Sequence, residues 1–102
     1  MTTLKSKPLL RDIQEYILKT GIKAEFDSLN AIQRCLMLGE EVGELFKSVR
    51  KIDGIKTDTG TGLVEDELAD ALKQICAIAN YFAIDLEQAF RNKERKNVGR
   101  WK

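Results

Sequence analysis

Two segments of this chain combine paired carboxylates with an apolar stripe at helical spacing. They are GEEVGELFK at residues 39–47 and VEDELADAL at residues 64–72. Residues three apart in a helix lie about 60° apart, because each residue turns the helix by ~100°. Each of the two helices therefore directs two carboxylates to one side. They are Glu41 and Glu44 on the first of these helices, and Glu67 and Asp70 on the second. If the two helices pack antiparallel, these carboxylates can converge at one end of the groove between them.

Helical periodicity extends over most of the chain, and no segment has the pattern of a convincing strand. Three helices are predicted from the apolar spacing, at about Leu9 to Lys19, Leu29 to Lys51 and Leu63 to Ala83. Ser28 is the predicted N-cap of the second helix, and Asp85 with Gln88 resembles a capping box that opens a fourth. We expect an all-α fold, an antiparallel four-helix bundle-like module in which residues 1–102 form a single domain.

The second and third helices each carry an apolar stripe. The two stripes consist of Ile32, Cys35, Leu38, Val42, Leu45, Phe46 and Val49, and of Leu68, Leu72, Ile75, Ala79 and Phe82. Cys35 and Cys76 form no Cys-x-x-Cys pair, and we expect both to be buried free thiols. The phenylalanines are assigned to the core or to subunit contacts, namely Phe26, Phe46, Phe82 and Phe90.

Residues 52–62, IDGIKTDTGTG, have no apolar period and are predicted to form a loop between the acidic helices. The segment does not fit an EF-hand, because the twelfth position counted from Asp53 is Val64 instead of glutamate. It is not a phosphate-binding Walker loop either, because no Gly-Lys-Ser/Thr follows.

Composition excludes several classes of chemistry. The chain has no histidine, which removes Ser-His-Asp triads, zinc–histidine sites and Glu-x-x-His di-iron bundles. No run approaches the ~20 apolar residues that span a bilayer. The N-terminal MTTLKSKPLL lacks the apolar core of a secretion signal, so a cytoplasmic location and no membrane partner are expected.

Charge is distributed unevenly along the chain although the net charge is only +1. Residues 91–102 carry six basic side chains against the single acid Glu94, whereas acids gather at 40–44 and 65–70. Converging carboxylates repel one another unless a cation lies between them. Mg²⁺ prefers oxygen ligands and usually retains waters and substrate phosphates in its coordination shell. The pattern indicates a polyanion held jointly by a metal and a basic tail, although acids beside an apolar stripe also suit a solvated helix flank.

The order and spacing of these motifs resemble the signature of the MazG-like all-α nucleotide pyrophosphohydrolases. The acidic part is Glu40-Glu41-x-x-Glu44 followed by Glu67-x-x-Asp70. Residues 77–90, AIANYFAIDLEQAF, are similar to the family's small-residue helix, its short break and the start of its last helix. The tail adds Lys93-x-x-x-Asn97-x-x-Arg100. The resemblance covers roughly residues 28–101.

The resemblance implies hydrolysis of a (deoxy)nucleoside triphosphate between the α and β phosphorus atoms, and a role in house-cleaning of the nucleotide pool. It implies that Glu41, Glu44, Glu67 and Asp70 bind Mg²⁺, with Mn²⁺ as a substitute ion, and that Glu40 either supports these ligands or orients water. It also implies that Lys93, Asn97 and Arg100 contact the phosphates or help to close the pocket. Tyr81, Asn80 and Trp101 are candidates for contacting the base, although Tyr81 also suits the core and Trp101 also suits an anchor of the tail. Small members of the family form homodimers or homotetramers whose pocket is shared, so the same is expected here.

Two other functions fit parts of the pattern. The basic tail could serve a nucleic-acid-binding module, which we expect less because the acidic segments would face the same ligand and the net charge is near zero. A non-catalytic helical interaction module would also explain the stripes, but it leaves the two matched acidic pairs unexplained.

Overall fold

The computed structural model describes residues 3–21, 29–52 and 63–101, and of Arg100 and Trp101 it describes the backbone alone. Within these ranges the chain forms four α-helices and no strand, which confirms the all-α prediction. The helices are α1 (Leu10–Thr20), α2 (Ala31–Ile52), α3 (Val64–Tyr81) and α4 (Leu86–Trp101). The sequence-based limits of the first three helices differ from these by one or two residues at each end. None of the described helices is both long enough and apolar enough to cross a membrane.

The start of α2 is set by a reciprocal pair of hydrogen bonds. The Gln33 amide N–H donates to Asn30 Oδ1 over 2.8 Å, and the Asn30 amide N–H donates to Gln33 Oε1 over 2.9 Å. This is a capping box one residue ahead of the helix, and it satisfies backbone donors that have no partner within a helix. The predicted N-cap, Ser28, lies outside the described residues. Helix α4 opens as predicted, because the Gln88 amide N–H donates to Asp85 Oδ1 over 3.2 Å.

Helix α3 ends two residues earlier than its sequence indicates, because Ala83 adopts a left-handed conformation with φ 56°. A helix cannot continue through such a residue. The Ile84 amide N–H then turns back to the Ala79 carbonyl over 2.8 Å, which satisfies one of the terminal carbonyls of α3. This turn directs the chain into α4.

The helices pack in the order that places the two acidic motifs together. Helix α2 packs along α3, α1 packs on α3, and α4 packs on α1. Near its beginning α2 contacts the end of α3, where the Arg34 guanidinium lies 5.0 Å from the centre of the Tyr81 ring. Further along α2, Glu41 lies beside Glu67 and Asp70 near the beginning of α3. Helices α2 and α3 are therefore antiparallel, as predicted.

Burial within a single chain leaves much of the two apolar stripes uncovered. The buried side chains of the described residues are mostly small or polar, namely Gln14, Ile17, Ser48, Glu67, Ala71, Gln74, Cys76 and Ala79. Much of both predicted stripes is exposed, including Ile32, Phe46, Val49, Leu68, Leu72, Ile75 and Phe82. The prediction for Cys35 was wrong, since its thiol is exposed, whereas the Cys76 thiol is completely buried.

These exposed residues share one face of each helix. Leu68, Leu72 and Ile75 follow one another at spacings of four and three, so they line the same side of α3. Periodicity identifies an apolar face but does not say what covers it. Phe46, Phe82 and Phe90 are likewise exposed, so none of them belongs to the core of a single chain, and their assignment to subunit contacts stays a prediction. Phe26 lies outside the described residues.

Candidate metal centre and adjoining cleft

Three carboxylates from α2 and α3 meet in the groove between these helices. One oxygen from each of Glu41, Glu67 and Asp70 can be chosen so that all three lie within 4.8 Å of one another. Glu67 is buried, Glu41 is half-buried and Asp70 is exposed, so the cluster opens towards solvent on one side. Antiparallel packing and the three-residue spacing of Glu67 and Asp70 produce this convergence, as the sequence predicted.

The electrostatics of the cluster favour a cation. Burial raises the pKa of the Glu41 carboxyl above its ordinary value, and the neighbouring charges of Asp70 and Glu67 raise it further. Within the described part of the chain none of the three carboxylates forms an ion pair. Three hard oxygen donors with an open side suit Mg²⁺ or Mn²⁺, which keep waters or substrate oxygens in their remaining positions.

The other two predicted acids lie at the edge of this cluster. Glu44 is half-buried and its carboxylate pairs with the Lys47 ammonium at 3.6 Å, so it is not one of the three converging groups. A partly exposed pair at the surface contributes only about 0–1 kcal/mol, so little opposes the release of Glu44 towards a cation. Glu40 is exposed on α2, one residue from Glu41.

A cleft of about 280 Å³ lies between α1, α2 and α3, and its lining on α3 begins at Lys73, three residues after Asp70 of the acidic cluster. Its apolar wall comes mainly from α1, including Ile17 and Leu18. Its polar and aromatic groups come from the other two helices and are Arg34, Lys73, Gln74, Asn80 and Tyr81. The cleft can therefore hold a partly planar, partly polar molecule beside the carboxylates.

Tyr81 lines this cleft, which keeps it a candidate for contacting a ligand. Its ring is 45% exposed, so it is not a core residue within the chain. The Arg34 guanidinium lies over the Tyr81 ring. The rings of Tyr81 and Phe82 contact each other edge-on, with their centroids 5.1 Å apart.

The basic residues of α4 lie apart from the acidic cluster within one chain. Helix α4 packs on α1, whereas the cluster lies between α2 and α3. Lys93 is exposed and Asn97 is half-buried. The side chains of Arg100 and Trp101 are outside the described part of the structure. The roles assigned to these four residues therefore stay predictions.

The cleft also contains residues that sequence reasoning did not assign to the site, namely Arg34, Lys73 and Gln74. A signal for Gln74 exists in the sequence, because it follows Glu67 by seven residues and Asp70 by four, which places all three on one face of α3. Arg34 and Lys73 have no comparable signal, because basic residues at these spacings also occur on ordinary solvent-facing helices.

Comparison with known proteins finds a matching family and similar solved structures. The model of the MazG nucleotide pyrophosphohydrolase domain matches residues 30–102. Two crystal structures of iMazG from Vibrio DAT 722 are similar to this chain, each with a TM-score of 0.68. The C-terminally tagged form is 31% identical over 89% of this chain and 99% of its own, and the N-terminally tagged form is 30% identical over 91% and 97%. No curated protein matched. With its family model, two solved relatives and the acidic groove all in agreement, this chain belongs to the MazG nucleotide pyrophosphohydrolase family.

Proposed function

We propose that this protein hydrolyses (deoxy)nucleoside triphosphates to the nucleoside monophosphate and pyrophosphate in a reaction that depends on Mg²⁺. The observation that carries the proposal is the convergence of Glu41, Glu67 and Asp70 in a groove beside a cleft of nucleotide-compatible chemistry. Membership in the family supports nucleotide pyrophosphohydrolysis in general. House-cleaning of the cytoplasmic nucleotide pool is the biological role we propose.

The carboxylates perform the binding step of this reaction. Glu41, Glu67 and Asp70 would hold the cation, and Glu44 would join them once it separates from Lys47. When bound, the ion neutralises charge on the phosphates and makes its water more acidic. Glu40 would orient a water from the edge of the cluster. Attack of water on a phosphoanhydride also needs cationic side chains on the outer phosphates, a role for Lys93 and Arg100, and the Asn97 amide would donate a hydrogen bond to these phosphates.

The position of α4 supports a site shared between subunits. Within one chain α4 packs on α1, away from the carboxylates, while apolar faces of α2 and α3 are exposed. A second copy that covers these faces could bring its own α4 to the groove. We therefore propose a homodimer or homotetramer in which one protomer supplies the carboxylates and its partner supplies Lys93, Asn97 and Arg100.

Mixing two inactive variants tests this sharing. Glu67→Gln and Lys93→Ala should each be inactive or nearly so when pure. Mixed in equal amounts under exchange conditions, they should recover about a quarter of wild-type activity, because half of the dimers are mixed and each holds one intact site. If activity is not recovered although subunits exchange, Glu67 and Lys93 act in a site formed by one chain, against the proposed sharing. If pure Lys93→Ala is fully active, Lys93 is not part of the site.

Product analysis tests the reaction itself. The purified protein is incubated with Mg²⁺ and each NTP and dNTP in turn, and the phosphorus products are separated. Pyrophosphate with a monophosphate supports the proposal, whereas orthophosphate indicates cleavage at a different bond. No turnover with any nucleotide, from a folded protein, would favour a non-catalytic interaction module.

The raised pKa of Glu41 predicts how the metal-free protein responds to pH. In the folded state this carboxyl holds its proton more tightly than in the unfolded chain, where the ordinary pKa is 4.5. Its contribution to the free energy of unfolding therefore falls as pH rises from 4.5 through the raised value. Without metal, Glu41→Gln should have a higher Tm than the wild type at pH 7, and the difference should shrink towards pH 4.5. Mg²⁺ should reverse the order at pH 7, and an unchanged difference across this range would contradict the electrostatic account.

A further inference from the structure

The cleft beside the acidic cluster contains a buried amide that has no partner among the described residues. The side chain of Gln74 lines the cleft and is only 8% exposed. Among the described residues its amide makes no hydrogen bond. Buried side-chain amides are nearly always paired, because an unpaired one loses its bonds to water without replacement. An unpaired amide facing a cleft is therefore placed to pair with a ligand.

The second amide of the cleft is arranged differently. Asn80 is paired at both ends with Gln14: its Oδ1 accepts from Gln14 Nε2 over 3.2 Å, and its Nδ2 donates to the Gln14 carbonyl over 3.0 Å. Asn80 therefore holds α1 against α3 and has a structural role. Gln74 is the side-chain amide of this cleft that remains available to a ligand.

The distance of Gln74 from the carboxylates matches the dimensions of a nucleotide. Gln74 follows Asp70 by four residues and Glu67 by seven, so it lies on the same face about 6 and 10 Å further along the helix axis. A ligand with phosphates at the carboxylates and an extended sugar would place its base next to Gln74. The Tyr81 ring, with Arg34 over it, provides an aromatic surface of the kind on which bases stack.

We infer that this cleft binds the nucleobase of the substrate and that Gln74 contacts the hydrogen-bonding edge of the base. A carboxamide presents a donor and an acceptor side by side, which pairs with the adjacent acceptor and donor of a base edge. The inference rests on the proposed function, because it is the binding of phosphates at the acidic cluster that brings the base to this cleft.

Replacing Gln74 with methionine keeps the length of the side chain and removes its hydrogen bonds. In Gln74→Met, kcat/KM for the preferred base should fall about 10- to 100-fold, the range expected for loss of a bidentate base contact. An abasic deoxyribose 5′-triphosphate should be hydrolysed by wild type and variant at equal rates. Gln88→Met serves as the matched control, because Gln88 is exposed and its side chain donates to Asn92 on its own helix. An equal loss with the abasic substrate would overturn the inference.

Thermal stability separates a binding role from a structural one. Because Gln74→Met removes an unpaired buried amide, it should raise the Tm of the nucleotide-free protein by about 4–8 °C. A lower Tm together with unchanged ratios of kcat/KM among the bases would show that Gln74 has a packing role. That result would overturn the inference.

Failure of the proposed function can be distinguished from failure of this inference. If the wild type hydrolyses nucleotides and Gln74→Met changes kcat/KM by the same factor for every base, the proposed function stands and the inference fails. If nothing is hydrolysed, calorimetry with nucleoside monophosphates tests the cleft directly. Binding by wild type and Gln88→Met but not by Gln74→Met supports the inference, whereas no binding, or equal binding by all three, overturns it.

Discussion

Replacing Glu67 with glutamine is expected to lower kcat/KM for nucleotide hydrolysis by at least about a hundredfold, the scale typical of removing one group that stabilises charge in a transition state. Glu67 is the most buried of the three converging carboxylates, so no water can readily replace it as a ligand. The same change removes one of the charges that repel Glu41 and Asp70. The Tm of the metal-free variant should therefore equal or exceed that of the wild type, and Mg²⁺ should no longer raise it.

Glu65→Gln is the matched control for this prediction. Glu65 lies in the first turn of the same helix and is exposed, and it does not belong to the cluster. This variant should keep both its activity and its response to Mg²⁺. Equal activity of Glu67→Gln and Glu65→Gln would contradict the assignment of Glu67, and equal inactivation would point to a general charge effect along α3.

The largest effect on stability is expected at Gln14, which joins three elements of the fold. Its Nε2 donates to the Ile84 carbonyl over 2.9 Å and to Asn80 Oδ1, and its Oε1 accepts from the Leu86 amide N–H over 2.8 Å. The side chain is buried at 6% exposure. Gln14→Leu would leave these groups unpaired between α1, the end of α3 and the start of α4. We expect a loss of about 2–4 kcal/mol in the free energy of unfolding and a Tm lower by roughly 10–20 °C.

Thermal unfolding of Gln14→Leu beside Gln88→Leu checks this prediction. Gln88 is exposed near the start of α4, so its substitution should change the free energy of unfolding by no more than about 0.5 kcal/mol. If both variants unfold at the wild-type temperature, Gln14 does not hold the helices together as described.

The sequence predicted the helices well because their signals are local. Apolar spacing placed α1, α2 and α3 to within two residues, and the Asp85 capping signal placed the start of α4. Termination of α3 was misplaced because Ala83 adopts a left-handed conformation without being glycine or asparagine, so its identity gives no warning. Gln14 gives no local signal either, since its partners lie 66 to 72 residues further along the chain.

The site was predicted in part for similar reasons. Spacing three residues apart places Glu67 and Asp70 on one side of α3, and antiparallel packing then brings Glu41 to them. The same spacing does not determine where Glu44 points, because Lys47 on its own helix competes for its carboxylate. Periodicity gave an apolar stripe on α3, but it could not show that Leu68 and Leu72 would remain exposed in a single chain.

A crystal structure with Mn²⁺ tests the central claim most directly, because the ion can be located by its anomalous scattering. We predict one strong anomalous peak among the carboxylates of Glu41, Glu67 and Asp70, lost in Glu67→Gln and retained in Glu65→Gln. A structure in which these three side chains diverge and the ion binds elsewhere, or not at all, would contradict the account.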